Sequence, residues 1–151
     1  RFGDLLVERD DAALVVGLDH AELRGLLACH RDRGDRHPGT GRQVVFDHLA
    51  GVSADAIAHS AVLDVALRLL DRGKAWVKLS GSRNSLTGPP YSDVATLAQR
   101  FVRHAPERCV WGSDWPHTQF ERANDYGALR AQLDRWLPDP RERRLAGRTR
   151  G

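Results

Sequence analysis

The stretch CVWGSDWPH, residues 109–117, decides how the chain folds. It opens with an apolar run, Cys109, Val110 and Trp111, breaks at Gly112, and then delivers Ser113, Asp114, Trp115, Pro116 and His117. A continuous apolar run bounded by Gly and Pro suits a parallel strand, buried on both faces, better than an alternating edge strand. The acid at 114 therefore stands where a strand meets a loop. In α/β proteins the carboxyl ends of parallel strands are where ligands bind and chemistry is done.

Working outward from that strand, apolar runs alternate with helical patterns. Strands are expected at 12–18 (AALVVGL), 43–48 (QVVFDH), 75–80 (AWVKLS) and 109–114. Asp19 can cap a helix over 20–30, where Leu23, Leu26 and Leu27 recur at helical spacing. A polar, Gly/Pro-rich connection follows over 31–41. A second helix is expected over 55–72, capped by Asp55 and closed by Gly73, with Ile57, Ala61, Val65, Leu69 and Leu70 on one side. Ser92 is placed to cap a third, bearing Val94, Leu97, Ala98, Phe101 and Val102 as an apolar stripe. A last helix, capped by Asn124 or Asp125, carries Tyr126, Leu129, Leu133 and Trp136 in register. Four βα units in series point to a parallel sheet with right-handed crossovers. Either a doubly wound open sheet or part of a (βα)8 barrel satisfies the pattern. Four strands are too few to close an eight-stranded barrel, so barrel material would be its second half.

Composition narrows the classes of function. With 151 residues, 41% hydrophobic and 28% charged, the chain suits one soluble core and needs no second domain. No apolar run approaches the roughly 18 residues of a membrane span, and the opening RFGDLLVERDD lacks the centre of a signal peptide. A cytoplasmic location is the expectation. Cys29 and Cys109 lie in separate apolar segments, as reduced buried thiols would. The chain has no methionine and starts at Arg1, which suggests part of a longer product. Of its 23 basic and 20 acidic side chains, five and two fall within 138–151, leaving 18 of each in the body. A neutral body argues against a nucleic-acid footprint, and five tail arginines without interleaved aromatics support only weak, salt-sensitive contact.

Three motifs in order, VVFDH (44–48), WVKLSGSRNS (76–85) and VWGSDWPH (110–117), resemble the last three strand ends of the amidohydrolase superfamily. The closest branch in appearance is the one containing 2-pyrone-4,6-dicarboxylate lactonase and related metal-dependent hydrolases. The resemblance implies an α/β fold, the C-terminal half of a (βα)8 TIM barrel. Residues 1–137 would carry strands five to eight, and 138–151 an arginine-rich, disordered tail. It also implies roles. Asp114 would be the general base that takes a proton from the attacking water, although an ordinary aspartate pKa of about 3.9 makes it a weak one unless the water or its target is activated elsewhere.

His48 would polarise the scissile carbonyl or, with Asp114, approach a divalent metal; a capping histidine at the core's edge is its plain alternative. Arg83 would hold a substrate carboxylate in its planar fork, or else be a solvated loop arginine. Ser80 and His117 are candidate substrate contacts, His117 also a stabiliser of the loop. Trp115 and Pro116 would shape the pocket wall, Trp111 would pack in the core, and Asp47 would orient its neighbours. Lys78 has no assigned role. The implied reaction is hydrolysis of a lactone, ester or amide bond in a small carboxylated molecule, with or without a divalent metal such as zinc. A metal-dependent decarboxylase and a catalytically incomplete binding remnant are the alternatives. The superfamily's His-x-His pair does not occur in this sequence. The isolated chain is therefore expected to be inactive and to self-associate through open sheet edges.

Overall fold

The computed structural model describes residues 13–16, 43–117, 120 and 122–146. Within them four strands, β1 (Ala13–Val16), β2 (Gln43–Phe46), β3 (Ala75–Leu79) and β4 (Cys109–Trp111), form one sheet. Every neighbouring pair is parallel, and the spatial order repeats the chain order. A doubly wound sheet reverses its order at a switch point. Here the strands succeed one another in a single direction. β2, β3 and β4 each end sooner than their apolar runs suggest, which leaves Asp47, Ser80 and Asp114 in the loops that follow.

Four α-helices are described: α1 (Ala61–Asp71), α2 (Ala95–His104), α3 (Tyr126–Trp136) and α4 (Pro140–Ala146). The start of α1 falls later than its periodicity predicts. Asp55 spends its carboxylate on the Ser53 hydroxyl, and residues 54–56 make only a short 3-10 turn. Ser60 is the cap instead, its hydroxyl oxygen accepting from the Leu63 amide at 3.1 Å. At the other end Gly73 takes a left-handed φ of 63° and donates its amide to the Leu70 carbonyl at 2.8 Å, the expected glycine stop. Ser92 opens a 3-10 turn and α2 follows it from Ala95. Asp125, not Asn124, caps α3 by accepting from the Ala128 amide at 2.8 Å.

Alternation along the strands sorts side chains to two faces. Val44, Phe46, Ala75, Val77, Leu79 and Cys109 are buried in one core with Leu63, Leu69, Leu97, Phe101 and Leu133 from the helices. Fully burying a side chain such as Leu79 or Phe101 is worth about 1.5–3 kcal/mol, so this face supplies most of the stability. Trp111 packs partly buried against it and meets Tyr126 edge-on at 6.0 Å between ring centroids. Val45, Trp76, Lys78 and Val110 belong to the opposite, half-buried face.

The tail departs from expectation. Residues 140–146 form α4, with Ala146 fully buried and Arg143 bonded to the Leu137 and Pro138 carbonyls and to Asp134. Those carbonyls lie just past the end of α3, where a guanidinium can satisfy them, and the arginine-rich composition hid this purpose. Disorder from 138 onward is thus corrected for 138–146. The remaining tail, the helix expected over 20–30, Cys29 and the 31–41 connection lie outside the described residues. Cys109 is a free, buried thiol, pushed up to about 12 by burial and by the nearby charge of Glu107. No described helix is long and apolar enough to cross a membrane.

Candidate active site

The loops at the carboxyl ends of β2, β3 and β4 converge. Parallel register places Phe46 beside Val77 and Lys78 beside Val110, so Asp47, one residue on, arrives next to Lys78. The chain then turns through four successive left-handed residues, His48 to Gly51, with φ from 43° to 68°. Such conformations cost non-glycine residues on the order of 1 kcal/mol or more and persist only where the surroundings impose them. Here Leu49 and Ala50 are buried in the core and pin the turn, which presents His48 at the site.

Asp114 also sits in the left-handed region, at φ 66°. Its side chain is the hub. Lys78 Nζ lies 3.1 Å from its Oδ1, Arg83 Nε lies 3.0 Å from its Oδ2, and His48 Nδ1 lies 3.6 Å from Oδ1. Lys78 Nζ is also 2.7 Å from Asp47 Oδ1. Burial would raise the Asp114 carboxyl, but His48, Lys78 and Arg83 outweigh it and hold the group below its ordinary 3.8. At neutral pH it is a carboxylate.

His48 is lowered too, which for an imidazole favours the neutral form. Burial lowers it from 6.5; Asp47 and Asp114 oppose the shift while Lys78 and Arg83 reinforce it. The ring is therefore neutral at pH 7. Its Nδ1 is 3.0 Å from the hydroxyl of buried Ser80, and its Nε2 is 3.2 Å from Asp47 Oδ2. A carboxylate beside Nε2 can only accept, which favours the tautomer protonated there, with Nδ1 accepting from Ser80.

The loop that carries Arg83 is tied at both ends. Asn84 donates from Nδ2 to the Val52 carbonyl at 2.9 Å and accepts from the Ala54 amide, joining this loop to the one after β2. Asp93 accepts from the Ser85 hydroxyl and from the Leu86 and Thr87 amides. Gly81 permits a close approach: a Cβ there would fall 2.5 Å from the Trp136 ring and 2.8 Å from Val94. The Arg83 guanidinium also lies 5.7 Å from the centroid of Phe120.

Five expected site residues thus divide. His48, Ser80, Arg83 and Asp114 come together. His117 is buried, its amide donating to the Asp114 carbonyl at 2.7 Å; it secures the loop, and among the described residues its Nδ1 has no hydrogen-bond partner. Trp115, expected in the pocket wall, stands 79% exposed. The residue the sequence left without a role is Lys78. Its signal was a lysine at an alternate position of an otherwise apolar strand, one step past Val77, the register partner of Phe46.

A divalent metal finds a poor donor set here. Both Asp114 oxygens are held by cations, and the Lys78 ammonium fills the gap between Asp47 and Asp114. Among the described residues no group of three or more His, Cys, Asp or Glu side chains could hold a metal ion.

A stretch covering 24–149, most of the chain, matches the family Amidohydrolase. The chain belongs to the amidohydrolase family. This amidohydrolase is similar to D-galactarolactone isomerase of Agrobacterium fabrum strain C58, with 38% identity over 110 residues, 68% of this chain and 36% of the relative. It is similar to 4-sulfomuconolactone hydrolase of Rhizobium radiobacter, with 33% identity over 67% of this chain and 35% of the relative. In fold it resembles a probable 2-pyrone-4,6-dicarboxylic acid hydrolase from Acinetobacter baumannii, crystallised with citric acid, at a TM-score of 0.67 and 25% identity over 88% of this chain and 47% of that one. The chain therefore spans about a third of the curated relatives and about half of the solved structure.

Proposed function

We propose that this amidohydrolase acts on a lactone of a small carboxylated molecule, and that residues 1–137 are the second half of a (βα)8 barrel whose ring of loops holds the site. The observation that supports the reading is the meeting of imidazole, guanidinium and carboxylate at three successive strand ends, with His48 Nδ1 3.6 Å from Asp114 Oδ1. Sequential parallel strands with chemistry at their carboxyl ends are the arrangement of such barrels. Relatives named for lactones favour that electrophile over an unstrained amide.

In the proposed reaction Asp114 takes a proton from the attacking water. The Nε2–H of His48, beside Asp47 when no substrate is bound, donates to the lactone carbonyl that enters next to it and stabilises the oxyanion as it forms. Arg83 holds the substrate carboxylate, with Ser80 keeping the imidazole ring in place. Collapse of the adduct breaks the ring C–O bond; the proton held by Asp114 passes to the leaving oxygen, giving a hydroxy acid. A carboxylate so acidic is a weak base, so activation of the carbonyl must supply the balance. Because a lactone isomerase is among the relatives, the same residues suit a second outcome: a hydroxyl of the substrate replaces water as nucleophile and the product is an isomeric lactone.

The test is a panel of carboxylated five- and six-membered lactones followed by proton NMR, run on a full-length version in which the first half of the barrel is supplied. Ring-opened acid or shifted lactone supports the reading; unchanged substrate across the panel with folded protein defeats it.

A further inference from the structure

The cation in the middle of β3 is built into the site with more care than a chance ion pair requires. Lys78 reaches two carboxylates on two different strands' loops, Asp47 Oδ1 at 2.7 Å and Asp114 Oδ1 at 3.1 Å. It does so by lying against Gly112, just past the end of β4: a Cβ at that glycine would stand 3.1 Å from Lys78 Cδ and 3.3 Å from Cγ and Cε. A Cβ at 112 would require the stem to give by a few tenths of an ångström. The lysine side chain is 24% exposed and that of Asp114 only 10%, so the attraction is screened less than a surface pair's would be. Asp114 is meanwhile held in a left-handed backbone conformation, which leaves its carboxylate in need of an external anchor.

We propose that Lys78 is a positioning residue: its ammonium ties the loop after β2 to the loop after β4 and thereby aims the Asp114 carboxylate at the reacting water. The inference rests on the reading of Asp114 as general base. Lys78 acts through Asp114 and is given no contact with substrate or water in the proposed reaction. The charged and titratable groups around the pair are Asp47 and His48 after β2 and Arg83 after β3, so removing the lysine leaves one guanidinium and a neutral imidazole to balance two acids.

The experiment is the pH profile of lactone turnover by the protein and its Lys78→Met variant. The expected result is a fall in kcat of roughly 10- to 100-fold with KM changed far less, since a misaimed base is lost in the transition state rather than in binding. The acid limb of kcat/KM should also move to higher pH, because a cation that favours ionised Asp114 is gone. Lys78→Cys treated with 2-bromoethylamine rebuilds an ammonium of nearly the same reach and should restore both features. Treated wild type controls for Cys29, while Cys109, buried and with its thiol at about 12, stays unmodified.

If Lys78→Met does not fold, Gly112→Ala displaces the stem while keeping every charge, and should lower kcat without raising KM in proportion. Wild-type-like kcat and an unmoved acid limb in the folded variant overturn the inference while leaving the lactone reading intact. Should the wild type turn over no lactone, that reading fails by itself. The tie is then judged by carbon-13 NMR titration of the Asp114 carboxyl, where an identical curve with and without Lys78 overturns it.

Discussion

The two faces of the sheet are built on different principles. On the helix side Val44, Phe46, Val77 and Leu79 are at most 2% exposed and carry no polar group that needs a partner. On the other side Lys78 and, just past the strands, Asp47 and Asp114 are charged, half-buried and tied to one another. The first face can be read as area removed from water. The second loses hydration and regains it only through specific geometry, an arrangement that natural proteins keep for binding or catalysis. Stability and chemistry are thus separated across a sheet one residue thick, and substitutions on the two faces should fail in different ways.

The sharpest break is Asp114→Asn. Asparagine keeps the shape and removes the base, so lactone turnover should fall by on the order of 10²–10⁴-fold while the far-ultraviolet circular dichroism stays native. Turnover within a few-fold of wild type would remove Asp114 from the chemistry. On the opposite face, Leu79→Ala should lower unfolding free energy by about 2–5 kcal/mol in urea titration, the usual range for a leucine deleted from a packed core. A smaller effect on kcat than on stability is the signature that separates it from Asp114→Asn. Gly81→Ala lies between the faces. Its new methyl meets Trp136 and Val94, and overpacking of this kind costs about 1–3 kcal/mol. Because Gly81 opens the loop carrying Arg83, KM for a carboxylated lactone should rise with it.

The helix-facing side was legible in the sequence because hydrophobic periodicity reports burial directly. The stripe of α2 and the register of α3 follow from Leu97, Phe101, Leu129 and Leu133. Helix starts were less legible, since caps depend on which polar side chain wins a local competition. Asp55 bonded Ser53 and lost the role to Ser60. The site was half legible. His48, Arg83 and Asp114 announced themselves by type and by place after a strand. Lys78 did not, because a lone lysine in a strand becomes informative only once register sets Asp47 and Gly112 beside it. Arg143 was hidden for a related reason: in an arginine-rich segment composition suggests a solvated tail, and only the carbonyls left at the end of α3 show what one of those guanidinium groups is for.

The smallest effect expected from the polar face is on stability, and its sign is opposite to that of a surface histidine with a carboxylate partner. Such a histidine has a raised folded-state pKa and stabilises the protein on the acid side. His48 is lowered, chiefly by burial. Its unfolded form therefore takes up a proton near pH 6.5 while the folded form still resists, so stability is full above that value and declines as pH falls through it. Asp114, also lowered in the folded state, adds loss of stability only nearer its unfolded value of 3.8. Between pH 7 and 5 the decline should belong mainly to His48, and His48→Asn should flatten it in urea titrations at several pH values. A decline of undiminished slope in that variant would mean that the polar face draws no acid sensitivity from the imidazole, and that burial does not hold His48 below 6.5.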